Sequence, residues 1–186
     1  MCKRVMCLAI LTAMLVMTGY SAGAAGEIKT KRVKYMEWGF TIELPEGWER
    51  QNHKVPDYSF YVCQPPLKKN ETDPKAKINI IVGSKKAEHD DEYFFEKTLL
   101  GVAGKEIDRG TITIEDPKRK MPGQWIHYSQ QRDDKEDVKV LAYKIIEEGI
   151  VYLIICYADS DEYNNYEGLF KKVVMSLRSE KIKIGD

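Results

Sequence analysis

The chain is poor in the residues that carry chemistry. It has three histidines, His53, His89 and His127, and four cysteines, of which Cys2 and Cys7 fall at the extreme N-terminus. None of the histidines stands at ligand spacing with another His or a Cys, so the sequence holds no zinc pattern. A Gly-rich phosphate loop, Gly-x-Ser-x-Gly and His-Glu-x-x-His are all missing, which removes the short motifs for phosphate cradling, a nucleophile elbow and a zincin helix. An excess of either charge is missing too, since 29 Lys and Arg balance 29 Asp and Glu. With the signs interspersed, nothing points to a nucleic-acid partner or a polybasic membrane patch.

Only the N-terminus carries a long apolar run. Lys3 and Arg4 precede Val5 to Met17, broken only by Thr12, and Ala22-Gly23-Ala24 places small residues before Ala25. This order predicts a secretory signal peptide over residues 1–24, with an apolar core too short for a comfortable span. An uncleaved anchor is the alternative. A lipid-bearing cysteine is not expected, because neither Cys2 nor Cys7 ends the apolar run. Lys3 and Arg4 would leave with the signal, so 27 of the 29 basic residues would remain against 29 acidic ones. The expected organisation is a signal at 1–24, a leader or edge segment at 25–37 and one domain over 38–186. That places the protein outside the cytoplasm, secreted or in the cell envelope, with no transmembrane span after cleavage.

Cys63 and Cys156 then remain, and two readings stand for them. Export permits a disulfide, which would stabilise by roughly 4–5 kcal/mol in the chain-entropy model. Alternatively Cys156, inside Leu153-Ile154-Ile155-Cys156-Tyr157, is a buried small hydrophobe.

What the chain does have is strand patterning. Phe40, Ile42 and Leu44 alternate with Thr41 and Glu43, and Pro45-Glu46-Gly47 ends that strand ahead of Trp48. Further strands are predicted at Ser59–Cys63, Lys77–Val82, Ile107–Glu115, Gln124–Arg132, Val138–Ile146 and Ile150–Tyr157. The last is apolar on both alternating sets, so both of its faces are expected to be covered. Glu147-Glu148-Gly149 joins the last two as a tight turn. Two helices are predicted. One runs from about Asp90 to Gly104, on the spacing of Phe95, Leu99 and Val102. The other lies within Asp161–Arg178, on the spacing of Tyr163, Tyr166, Phe170, Val173 and Leu177. Asp159 and Glu162 stand at capping-box spacing ahead of it. Hairpin-length connections argue for an α+β fold, a central antiparallel β-sheet flanked by helices on both faces.

Candidate chemistry is thin. Glu88 to Glu92 can be drawn as a divalent-metal site, but acids in a first helical turn serve free N–H groups and the dipole. Asp159-Ser160-Asp161 starts like a calcium loop and fails at Tyr163 and Asn164. Glu147-Glu148 at a hairpin tip reads as a solvated turn. Cys63 or Cys156 with His127 would make a nucleophile and base, yet both thiols lie in apolar strands, where thiols are inert. Tyrosine is plentiful, with eleven residues. A carbohydrate or peptide groove is one use for them, and alternating positions argue for packing. No catalytic, cofactor-binding or metal residue is assigned.

Two segments resemble a known group. Gly39-Phe40-Thr41-Ile42-Glu43-Leu44-Pro45-Glu46-Gly47-Trp48 is similar to the opening strand and turn of the PsbP-like and Mog1-like superfamily, which includes bacterial exported proteins of the DcrB and DUF1795 kind. The ending is similar too: Val151 to Ala158, an acidic cap, then Leu169-Phe170 and Val173-Val174-Met175-Ser176-Leu177-Arg178. The resemblance implies an α/β/α sandwich and binding or assembly roles, and it transfers no site residue.

The expectation is therefore an exported, non-enzymatic binding or assembly domain whose partner is a protein or envelope component. Recognition is expected at the loops Pro65 to Pro74 and Asp116 to Gly123. The alternatives are an exported hydrolase-like enzyme, with a site assembled from distant residues such as His127, and a weak divalent-metal binder.

Overall fold

The computed structural model describes residues 28–55, 58–84, 104–117, 119–132 and 135–180. The signal-peptide segment, His89, Glu88 to Glu92 and nearly all of the helix expected at 90–104 lie outside these residues. Gly104, expected as that helix's stop, instead opens a strand.

Ten strands and one helix are described. A small antiparallel sheet has the order β1-β2-β10, from Thr30–Tyr35 (β1), Phe40–Pro45 (β2) and Arg178–Ser179 (β10). The large sheet contains Glu49–Val55 (β3), Tyr58–Gln64 (β4), Ala76–Ser84 (β5), Gly104–Asp116 (β6), Arg119–Arg132 (β7), Lys135–Glu147 (β8) and Ile150–Asp159 (β9). Its order is β3-β4-β5-β9-β8-β7-β6, antiparallel throughout. The helix, α1, spans Tyr163–Met175.

The small sheet and α1 together cover one face of the large sheet. The alternation that marks Phe40, Ile42 and Leu44 as one face in sequence delivers all three into this core, each 1% exposed or less. They meet Ile78, Ile80, Tyr152, Ile154, Phe170, Val173 and Leu177 there. Full burial of a side chain such as Phe170 is worth about 1.5–3 kcal/mol relative to exposure. A second cluster occupies the opposite face of the sheet: Ile126, Tyr128, Val138, Val140, Ala142 and Leu153. This is why β8 and β9 read as apolar on both alternating sets.

Those two faces led to the expectation of helices on both sides, and the structure corrects it. Among the described residues the chain is mostly strand, with one helix and two antiparallel sheets, not a helix-flanked α/β/α sandwich. The physical reason lies in the partner of β2. A half-buried strand pattern says that one face is covered and is silent on what covers it. Here a second sheet, built on Phe40–Pro45, joins α1 on one face, and no described helix lies on the other. Trp38 ties the two sheets, its indole Nε1 donating to Ser59 Oγ at 2.8 Å.

Two local expectations also change. Asp116 to Gly123 is a tight hairpin running straight into β7, not an open loop. Pro122 fits there because it lies just beyond the last β7–β8 pair, Gly123 with Ile145. The N-cap of α1 is Glu162, with no side-chain cap bond. Its carboxylate instead accepts from Asn165 Nδ2 at 2.8 Å and Lys75 Nζ at 3.2 Å. The Glu148-Gly149 turn holds, with φ of 45° and 81°, the two positive values that a type I′ hairpin needs.

Candidate functional site

α1 covers the centre of the large sheet and leaves its outer strands partly open. Between the helix and β6–β8 lies a pocket of about 350 Å³, a volume at the small end of ligand sites. Ile112, Leu141, Trp125 and Tyr143 supply its apolar walls, and Met175 stands on the helix side. Asp108, His127, Glu167 and Lys171 bring polar groups to it.

Register explains why these residues meet. Trp125 and His127 are two apart on β7 and therefore share a face. Across one ladder Trp125 pairs with Tyr143 and His127 with Leu141. Across the other, Trp125 pairs with Gly110 and His127 with Asp108. A bulge between Glu106 and Asp108 sets this last pairing. The extra residue, Ile107, is half exposed, and Asp108 takes the place opposite His127 that an unbroken ladder would give to Ile107. Gly110 is needed as well. A Cβ there would stand 3.0 Å from three atoms of the Trp125 indole, so the ring lies across bare backbone.

His127 is held by stacking. Its ring lies 5.0 Å from that of Tyr163, with planes 14° apart. Tyr163 is 1% exposed, and Lys139 Nζ stands 5.6 Å from its ring centre. His127 Nε2 and the Tyr163 hydroxyl are both buried without a hydrogen-bond partner. Burial pushes the His127 pKa below its ordinary value; Glu167 and Asp108 pull it up, while Lys139 and Lys171 push it further down. Glu167 pairs with Lys171 at 2.7 Å, and Asp108 Oδ1 accepts the Arg109 amide proton at 2.8 Å.

The other sequence candidates do not join this pocket. His53 lies on β3 with its ring 6.1 Å from that of Phe60. Cys63 and Cys156 are both free thiols and both buried. Each pairs with Ile78 from opposite sides of β5, so they stand two strands apart, roughly 9–10 Å between Cα atoms. A disulfide requires less than about 7 Å, so none forms. Burial lifts the Cys63 thiol to about 11 and the Cys156 thiol higher. Glu147 is not a solvated turn residue. It is 9% exposed and pairs with Arg119, which also reaches Glu148 at 3.1 Å and donates to the Ser179 carbonyl at 3.0 Å. Asp159 ends β9, where its carbonyl accepts the Glu162 amide proton. Among the described residues no group of three His, Cys, Asp or Glu is placed to hold a metal. Pro65 to Pro74 is the open loop expected, with Leu67 exposed.

Sequence reasoning singled out His127, weighed the tyrosines, Tyr143 among them, for a groove, and gave no site role to Trp125, Asp108, Glu167 or Lys171. The two-residue step from Trp125 to His127 was a usable signal. The Asp108 pairing depends on the bulge and left no trace in the local pattern.

No known protein family and no curated protein matches the chain at the level of sequence. Solved structures do match. The PsbP protein of the cyanobacterium Synechocystis, CyanoP, is similar at 17% identity and a TM-score of 0.61, over 86% of this chain and 97% of that one. LpqN of Mycobacterium tuberculosis, described as involved in cell envelope biogenesis, is similar at 14% identity and a TM-score of 0.58, over 84% and 93%. The chain thus has the fold of PsbP-like domains, and the resemblance read from its two ends holds at that level. No described helix is long and apolar enough to cross a membrane.

Proposed function

We propose that this chain is an exported, non-enzymatic binding domain of PsbP type that engages a protein or another component of the cell envelope. The pocket between α1 and β6–β8 carries the reading. It offers aromatic walls and polar side chains at a partly open surface, and His127, which lines it, keeps a buried Nε2 without a partner, which suits recognition. Its histidine has no thiol within reach, since Cys156 lies two strands away with Leu141 paired between them. Two further observations support an extracytoplasmic setting: the signal-like order of residues 1–24, and the fold shared with a mycobacterial protein involved in cell envelope biogenesis.

The test is crosslinking in the native envelope from photoreactive residues placed at Met175, on the pocket, and at Leu67, on the distant loop; both positions are exposed. The expected result is a discrete adduct from Met175. Adducts from neither position, or recovery of the chain in the cytoplasm, would overturn the reading.

One observation favours a second reading. Asp108 stands opposite His127, an orientation that a hydrolase could use for a general base. Robust turnover of an esterase or glycosidase substrate, abolished by His127→Ala, would establish it in place of the binding role.

A further inference from the structure

The same pocket says something about what it binds, an inference that rests on the binding reading above. Its polar groups point to neither a cationic nor an anionic ligand. The charges acting on His127 are Asp108 and Glu167 of one sign and Lys139 and Lys171 of the other. Glu167 and Lys171 already satisfy each other. A charged ligand beside His127 would therefore meet both signs, Asp108 on the pocket wall and Lys139 set back over Tyr163, and it would lose hydration on entry. A neutral ligand has no such conflict.

What the pocket lacks is hydrogen bonds. His127 Nε2 has no partner, and depending on tautomer it donates or accepts. Asp108 uses one oxygen on the Arg109 amide and is an acceptor at the other. A hydroxyl group serves both, because it donates and accepts at once. Beside these groups the Trp125 indole has one face across Gly110 and forms part of the pocket wall. A flat aromatic wall next to a hydroxyl-matching polar edge selects a ring with an apolar face and a polar rim.

We propose that the pocket binds a neutral, hydroxyl-bearing ring, the chemistry of a saccharide. Trp125 is the stacking platform, and His127 and Asp108 are the hydrogen-bonding edge.

Indole N–H signals in two-dimensional NMR of the purified chain test this directly, because Trp38 and Trp48 serve as internal controls. The probes are a panel of mono- and disaccharides with gluco, galacto, manno and N-acetylated rings, set against cyclohexylammonium and benzoate as charged rings. The expected result is a saturable shift of the Trp125 signal with at least one saccharide, with Trp38 and Trp48 unmoved. His127→Phe, which keeps a ring on Tyr163 but removes the nitrogen, should weaken that binding roughly tenfold, the scale of one lost hydrogen bond that leaves its partner unpaired. Asp108→Ala, on the outer strand, should do the same without disturbing the core, and it keeps the test informative if His127→Phe folds poorly. Response to the charged rings alone, to no probe, or unchanged in both variants would overturn the proposal. The Met175 adduct, if it still forms in that case, leaves the envelope-binding reading standing and removes only the saccharide. If the saccharide response is present and no adduct forms, the ligand assignment holds and the crosslinked-partner reading falls.

Discussion

Ser176 joins the helix to the small sheet through Glu43. Its hydroxyl accepts the Glu43 amide proton at 2.7 Å and donates to the Val173 carbonyl at 2.6 Å. One side chain thus satisfies a strand donor and adds a second bond to a helix-end carbonyl that also accepts the Ser176 amide proton at 3.1 Å. Ser176→Ala leaves the Glu43 amide without this partner, and a cost of about 1–3 kcal/mol is expected. Urea unfolding followed by circular dichroism measures it, and a midpoint equal to wild type would show that water replaces the hydroxyl.

Arg119 and Glu147 form a buried pair at the tips of two hairpins, the arginine 16% and the glutamate 8% exposed at their side chains. Removing Glu147 leaves Arg119 its contacts to Glu148 and the Ser179 carbonyl, so the cost falls below that of a stranded buried charge, at about 1–3 kcal/mol. Glu147→Ala is therefore expected to destabilise by that order. Glu148→Ala, whose side chain is 61% exposed, should change stability by about 1 kcal/mol or less. Thermal melts of the two variants side by side check the contrast, and equal losses would contradict it.

Cys63 and Cys156 flank Ile78 without meeting. Intact mass of residues 25–186 under oxidising conditions should show both Cys63 and Cys156 as free thiols. Alkylation near neutral pH should be slow until denaturant is added, because the thiolate is the reactive form and burial suppresses it. A mass loss of two protons, abolished by Cys63→Ser, would refute the geometry.

Burial lowers the His127 pKa from 6.5. The folded state then holds fewer protons than the unfolded state just below the unfolded value. Stability from this group is fully present above that value and is lost as pH falls from there through the folded pKa. Urea midpoints measured across this window should fall more steeply for wild type than for His127→Phe. Parallel slopes would show that His127 is not desolvated in solution.

Much of the architecture was legible in sequence wherever burial follows a simple period. The alternation at Ile78, Ile80 and Val82 reappears as alternating burial along β5. The helical spacing of Tyr163, Phe170 and Val173 places all three in the core. Glu148-Gly149 supplied its turn by conformational preference alone. The candidate site was legible only in part. His127 stood out as a rare residue, whereas Asp108 joins it through a bulge, and Glu167 and Lys171 reach the same space from the helix. Glu147 misled because a hairpin tip is ordinarily solvated, and here Arg119 from a neighbouring hairpin closes over it.

The chain's own residues determined most of the strands, which face of each is apolar, where the last helix lies and that net charge is near balance, while the polar Glu49–Val55 strand showed no such pattern. These are short-range properties, set by residue type and spacing along a few turns or pleats. The tertiary structure alone decided that β2 leaves the large sheet to build a second one, that the two cysteines stay apart, and that Trp125, His127 and Asp108 converge under α1. Those outcomes depend on strand order and register, which bring together positions far apart in the chain. No local pattern encodes them, because a period states that a face is covered and not by what.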